Sequence, residues 1–174
     1  MINIIVGDQI NLRALNESDS SRLLKWVNNP ELKIMTGTVF PVSNLEHERW
    51  FENKITNQDE KMFGIEIIEE SELIGVVGLK SINYINSNAE LYIYIGNQTY
   101  FGKGYGKDAV QTIIKFAFEE LNLHKVYLEV FSYNKKAQSL YEKVGFKVEG
   151  ILKESLFKQG SFYDKIIMGI INNQ

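Results

Sequence analysis

Three glycines spaced by two, Gly102, Gly104 and Gly106, stand where an alternating apolar segment gives way to a helical pattern, and they constrain this chain more than any other feature. Glycine has no Cβ, so successive backbone N–H groups can turn toward one point. The helix that follows adds the positive end of its dipole. Phe101, Gly102, Lys103, Gly104, Tyr105, Gly106 and Lys107 therefore read as an anion cradle suited to a phosphate-bearing ligand. The spacing Gly104-x-Gly106-x-x-Ala109 also matches a dinucleotide-binding fingerprint, but that motif follows its strand directly and opens a βαβ unit. Here residues 97–101 intervene. A Walker-type loop requires Ser or Thr after the lysine, and Lys107 is followed by Asp108. A plain glycine turn is the remaining reading, and the flanking Lys103 and Lys107 weigh against it.

The segments after the glycines follow a definite order. Val110, Ile113, Ile114, Ala117 and Leu121 recur at helical spacing and predict an amphipathic helix. Residues 125–131 read as a strand. Asn134 stands at an N-cap position, with Ala137, Leu140, Tyr141 and Val144 on one face of a short helix ended by Gly145. From Phe146 the pattern returns to strand. Upstream, residues 10–15 predict a strand, and Asn16 or Ser18 caps a helix through Leu23, Leu24, Trp26 and Val27 that Pro30 stops. Ser43-x-x-Glu46 is a capping box opening a second helix through Trp50 and Ile55. Three strands follow, at 63–68, 73–79 and 88–96. Gln159 and Gly160 punctuate a closing hairpin whose last strand, 164–171, is apolar enough to lie inside a sheet.

This order of glycine loop, helix, strand, Asn-x-x-Ala-x-x-x-Tyr helix and Gly-Phe strand resembles the GNAT superfamily of acetyl-CoA-dependent N-acetyltransferases. Residues 134–146 look like that family's second cofactor segment, and residues 101–106 look like its pyrophosphate-binding motif, with Phe101 in place of the usual Gln or Arg. The 10–15 strand with Asp19, the 26–30 segment and the 147–150 segment look like the RimJ/RimL-type branch, where spermidine N-acetyltransferases also lie. The resemblance implies one GNAT domain over residues 1–174, an α/β fold with a mixed central sheet of about seven strands, and helices on both of its faces. It implies transfer of an acetyl group from acetyl-CoA to a primary amine by direct attack in a ternary complex.

Acetyl transfer needs a neutral amine, stabilisation of the carbonyl oxygen as charge builds, and a proton for the departing thiolate. The resemblance places the thiolate acid at Tyr141, whose position beside Ala137, Leu140 and Val144 equally suits a core tyrosine. Glu90, alternating with Tyr92 and Tyr94 along its strand, is the base or amine-holding carboxylate, or a surface glutamate. The backbone of Ile93, Tyr94 and Ile95 is where the resemblance has pantetheine pair like an extra strand; ordinary sheet pairing is the alternative. Asn134 both caps its helix and meets the pantetheine arm near Ala137. His47 and His124 lack partners at metal or triad spacing and read as surface or boundary residues, so no metal is expected. Trp26, Trp50 and Phe51 read as core residues or as the wall of an acceptor cleft.

Charge separates the halves of the chain. Residues 1–99 carry 14 acids and 8 Lys/Arg, net −6, whereas residues 100–174 carry 8 acids and 11 Lys/Arg, net +3. A polyanionic cofactor suits the second half and a cationic amine the first, though solvated faces produce the same count. No basic stripe with interleaved aromatics marks a nucleic-acid surface. Zero cysteines exclude disulfides and thiolate metal sites. Residues 1–6 have no basic and long apolar leader pattern, and no run approaches a membrane span, so a cytoplasmic enzyme is expected. Pairing into homodimers is common in the branch.

For the acceptor, residues 37–41 lack the acidic residues that polyamine enzymes resembling this chain carry before their proline, which counts against spermidine. Glu46, Glu48 and Glu52 read as a solvated helix face. Peptide N-termini, amino sugars and small amines are the main reading. A spermidine or polyamine acetyltransferase and a non-catalytic acyl-CoA-binding regulatory module are the alternatives.

Overall fold

A computed structural model describes residues 4–173; Met1, Ile2 and Asn3, the start of the segment read as having no leader pattern, lie outside the described residues. Eight strands form one sheet in the order β1-β2-β3-β4-β5-β6-β8-β7. They are β1 (Ile4–Val6), β2 (Ile10–Ala14), β3 (Lys61–Ile67), β4 (Leu73–Asn83), β5 (Asn88–Ile95), β6 (Lys125–Phe131), β7 (Lys147–Lys158) and β8 (Ser161–Ile171). The helices are α1 (Ser20–Val27), α2 (Pro30–Thr36), α3 (Asn44–Thr56), α4 (Tyr105–Glu119) and α5 (Lys135–Val144). All strand pairs are antiparallel except β5 with β6.

Most elements follow their sequence signals. The Ser43/Glu46 capping box forms both of its bonds at the start of α3, and β8 lies between β6 and β7, as its apolar run demands. Two elements, β1 and α2, carry no signal picked out in the sequence. The short β1 is an eighth strand, too brief to show alternation. Pro30 does end the reach of α1, but it also opens α2 at its first position, with the Asn29 side chain accepting from the Glu31 amide. The missing N–H of proline costs nothing there because no intrahelical acceptor exists for it.

The sheet divides two cores. On one face α4 and α5 bury Ile10, Leu12, Ile65, Leu79, Val110, Ile113, Leu128 and Met168. On the other, α1, α2 and α3 bury Leu23, Trp26, Leu32, Phe51 and Val76. Arg13 on β2 joins this second layer to the sheet through Asp19 at 2.8 Å and Glu66 at 2.5 Å. Burial alone would raise the Asp19 carboxyl, but Arg13 and the Asn16 amide outweigh it and hold the group below its ordinary value.

The start of α4 is anchored by one side chain. Asp108 accepts from the backbone amides of Asp8 at 3.1 Å, Gln9 at 2.7 Å and Ile10 at 3.1 Å, fixing the β1–β2 turn against the helix that follows the glycine loop. Asp108→Ala leaves these donors without their acceptor. Stability is expected to fall by about 3 kcal/mol, since each orphaned buried donor costs roughly 1–3 kcal/mol and water recovers the exposed ones. Chemical denaturation measures this; a loss within about 0.5 kcal/mol, the range of an ordinary surface substitution, would show that the turn holds without it.

Candidate active site

The parallel pair at the centre of the sheet is short. β5 and β6 are in register only at Asn88 with Lys125, Ala89 with Val126 and Glu90 with Tyr127. Past that row β5 stays paired to β4 as far as Ile95 with Gly75, and β6 stays paired to β8 as far as Phe131 with Lys165. The two strands therefore part like a fork. The β6-facing backbone edge of Ile93, Tyr94 and Ile95 has no strand partner among the described residues.

At the open end of the fork, the Asn97 side chain caps a single 3-10 turn (Gln98–Tyr100) and the chain enters the glycine loop. Gly102 and Gly104 take φ of +74° and +92°, and a Cβ on Gly102 would meet nothing within 4 Å. Gly104 occupies the N-cap of α4, so no side chain closes that end. The first helical bond is donated by Asp108 to the Gly104 carbonyl at 3.0 Å. The amides of Tyr105, Gly106 and Lys107 point forward with no acceptor among the described residues. Lys107 is exposed, and the Lys103 ammonium lies 5.1 Å from the Tyr100 ring. The exposed Phe101 leads into the loop. Free amides, open space where side chains would stand and two nearby lysines fit a pyrophosphate.

The other arm of the fork leads into α5. Asn134 Oδ1 accepts from the Ala137 amide at 3.2 Å, which makes it an N-cap and leaves its amide nitrogen as a donor. Tyr141 is buried in the α4–α5 core, with its ring 5.7 Å from Phe146, and its neighbour Leu140 packs near Gly106. Burial pushes the Tyr141 hydroxyl up to about 12, so it carries its proton at neutral pH.

Glu90 sits in the last paired row before the fork opens, and its carboxylate meets Lys80 at 2.9 Å. Glu90, Tyr92 and Tyr94 share one face of β5. Tyr94 packs edge-on against Trp26 of α1, so this face lies beneath α1, α2 and α3. Sequence reasoning missed a second cluster there. The buried Glu60, just before β3, pairs with Lys54 of α3 at 2.5 Å and stands beside Tyr92. Burial first, and the Glu60 charge second, push the Tyr92 hydroxyl well above the ordinary tyrosine value. Glu60 lies within a polar run, Gln58-Asp-Glu-Lys61, that reads as a turn, so only tertiary packing reveals it.

Other expectations divide. His47 is 3% exposed rather than at the surface: its Nε2 meets the Ser20 carbonyl at 2.9 Å and joins α3 to α1. A buried ring with a backbone acceptor is a structural bolt, and burial holds its basicity below the ordinary value. His124 is exposed, as expected. Trp26 and Phe51 belong to the core, whereas Trp50 stays partly exposed above Lys54. Glu46, Glu48 and Glu52 face solvent. Among the described residues no group of three or more His, Cys, Asp and Glu side chains is placed to hold a metal, and no helix is long and apolar enough to cross a membrane.

The family model "Acetyltransferase (GNAT) domain" matches residues 9–147, and the chain belongs to this family of N-acetyltransferases, whose acetyl donor is acetyl-CoA. Spermidine N(1)-acetyltransferase of Vibrio cholerae is 34% identical over 170 residues, 97% of this chain and 96% of that protein. The crystal structure of spermidine N-acetyltransferase from Vibrio cholerae in complex with CoA and spermine matches with a TM-score of 0.87 and 35% identity, over 94% of this chain and 95% of that one. A putative ribosomal N-acetyltransferase of Bacillus subtilis is 25% identical over 179 residues, 100% of this chain and 97% of that protein.

Proposed function

We propose that the chain acetylates a polyamine of the spermidine type. The observation that carries this reading is the 34% identity, over almost the whole length of both chains, to a spermidine N(1)-acetyltransferase. The 25% identity to the putative ribosomal enzyme is weaker support for a peptide acceptor and for the RimJ/RimL side of the branch. This moves the balance away from peptide N-termini and amino sugars, and toward the polyamine alternative. The missing acidic residues before Pro41 do not leave the chain without anionic groups for a polyamine, because Glu60 joins the sequence-marked Glu90 on the sheet face beneath α1–α3.

In this reading the amides of the glycine loop hold the pyrophosphate of acetyl-CoA, with Lys103 and Lys107 adding charge. The open edge of Ile93, Tyr94 and Ile95 pairs with the pantetheine, and Asn134 donates to it near Ala137. Glu90 holds the ammonium and takes its proton, directly or through one water. The neutral nitrogen attacks the thioester carbon, the C–S bond breaks, and the leaving sulfur takes the proton of the Tyr141 hydroxyl; the nitrogen, now bonded to the acetyl carbon, sheds its surplus proton to restore the Tyr141 phenol, and Glu90 releases the proton it took to solvent. Retention of both Tyr141 and Glu90 supports an enzyme over a non-catalytic acyl-CoA-binding module.

A panel of spermidine, spermine, peptides with free N-termini and amino sugars, assayed by CoA release, tests the acceptor class. Spermidine or spermine is expected to exceed the others in kcat/KM by about tenfold or more, the scale at which pocket contacts discriminate. A peptide or amino sugar that outperforms both would replace this reading.

A further inference from the structure

The cluster around Glu60 has the chemistry of an ammonium site, and a residue of the chain already fills it. The Lys54 ammonium lies 2.5 Å from Glu60 Oε1, 6.0 Å from the Trp50 ring and 5.9 Å from the Tyr92 ring. A carboxylate with two aromatic faces is how proteins hold alkylammonium groups. Glu60 is 8% exposed, whereas Lys54 and Trp50 remain partly exposed, so the site is buried at its anionic base and open at its cationic mouth. The Tyr92 ring reaches it by lying over Gly78, its cross-strand partner, where a Cβ would stand 2.4 Å from the ring. Its buried hydroxyl stands beside Glu60 without closing a hydrogen bond of ordinary geometry.

We propose that Lys54 is a tethered occupant of a polyamine ammonium subsite, which the acceptor must displace from Glu60 to bind, so that Lys54 sets the affinity for polyamines. The inference rests on the polyamine reading above. β3, which Glu60 precedes, and β5, which carries Glu90, lie two strand spacings apart, about 10 Å. A linear triamine of spermidine's length spans about 11 Å between its end nitrogens. Glu90 is itself paired with Lys80 at 2.9 Å, a partly exposed tie that the incoming ammonium replaces; one end engaged at Glu90 then brings the other within reach of Glu60, a distance that a monoamine cannot bridge. Lys54 is held on α3, so its displacement needs only rotation of its flexible stem.

Lys54→Met keeps the stem and removes the competing charge. Its KM for spermidine is expected to fall about fivefold, the value of one partly exposed ion pair, while KM for acetyl-CoA and for a short alkyl monoamine stays within a factor of two. Glu60→Gln is expected to raise KM for spermidine and leave the monoamine unchanged. In parallel, spermidine without acetyl-CoA should raise the melting temperature of Lys54→Met more than that of the wild type, because it replaces the lost ammonium. Equal melting shifts in the two proteins, or an unchanged spermidine KM, overturn the proposal and make Lys54 a structural tie between α3 and β3. A wild type that acetylates no polyamine, together with a larger spermidine shift in Lys54→Met, would instead keep the subsite and discard the functional reading. If Lys54→Met does not fold, Lys54→Gln, which keeps a donor for Glu60, carries the same measurements.

Discussion

Tyr141→Phe is expected to lower kcat by about 10²-fold or more, the usual consequence of losing a general acid, with KM for acetyl-CoA unchanged within a factor of two. The substitution removes one oxygen and keeps the ring, so the contact with Phe146 and the burial in the α4–α5 core persist. Melting temperature is therefore expected to move little, which separates this variant from a cavity-forming change such as Tyr141→Ala. Burial holds the hydroxyl at about 12, so it stays protonated throughout an assay between pH 6 and about 10. Ionisation of Tyr141 then does not shape the wild-type pH profile over that range, and the loss of rate in the variant should be the same at each pH. Turnover near the wild-type value, measured with the best acceptor of the panel, would return Tyr141 to the role of a core residue.

Local chemistry made much of this fold legible. The extent of β6, the caps of α3 and α5, the Gly145 stop and the glycine loop all depend on side chains within a few residues of one another, and those signals survive in the linear sequence. What escaped depends on distant partners. β1 exists because Ile4, Ile5 and Val6 pair with Arg13, Leu12 and Asn11 across a turn that Asp108 holds from 98–100 residues away. Three residues of strand carry no period by themselves.

The candidate site divides in the same way. The proposed cofactor half is one contiguous run from β5 to α4 plus the cap of α5, which motif and spacing can mark in the linear sequence. The proposed acceptor half draws on α3, the residue before β3, β4 and β5, and no spacing rule connects Lys54, Glu60, Lys80 and Glu90. Glu90 illustrates the limit: alternation on β5 gave its face, while its ion pair with Lys80 follows from the β4 register. Charge counting did indicate an acidic first half, yet the exposed glutamates of α3 contribute to that count as much as Glu60 and Glu90.

Gly104→Val is expected to weaken acetyl-CoA binding, measured by calorimetry, by about 10- to 100-fold. A hydrogen bond from a backbone amide to a charged oxygen contributes roughly 1.5–3 kcal/mol, and each 1.4 kcal/mol is tenfold in affinity, so displacing the phosphate from one or two amides accounts for that range. Two effects act together at this position. Its φ of +92° is unfavourable for any L side chain and most of all for a β-branched one, so the loop shifts, and the added methyl groups occupy the approach to the cradle. Two further variants separate strain from occlusion. Gly160→Ala places a Cβ at φ +81° in the hairpin turn between β7 and β8, where nothing lies within 4 Å, and it should leave acetyl-CoA affinity unchanged. At Gly106 a Cβ meets only Leu140 at 3.5 Å and Ile95 at 3.9 Å, ordinary contacts on a helical backbone, so Gly106→Ala should cost less than about threefold, under 1 kcal/mol. An affinity for Gly104→Val equal to that of the wild type would mean that the three glycines form only a turn and that the pyrophosphate binds elsewhere along the fork.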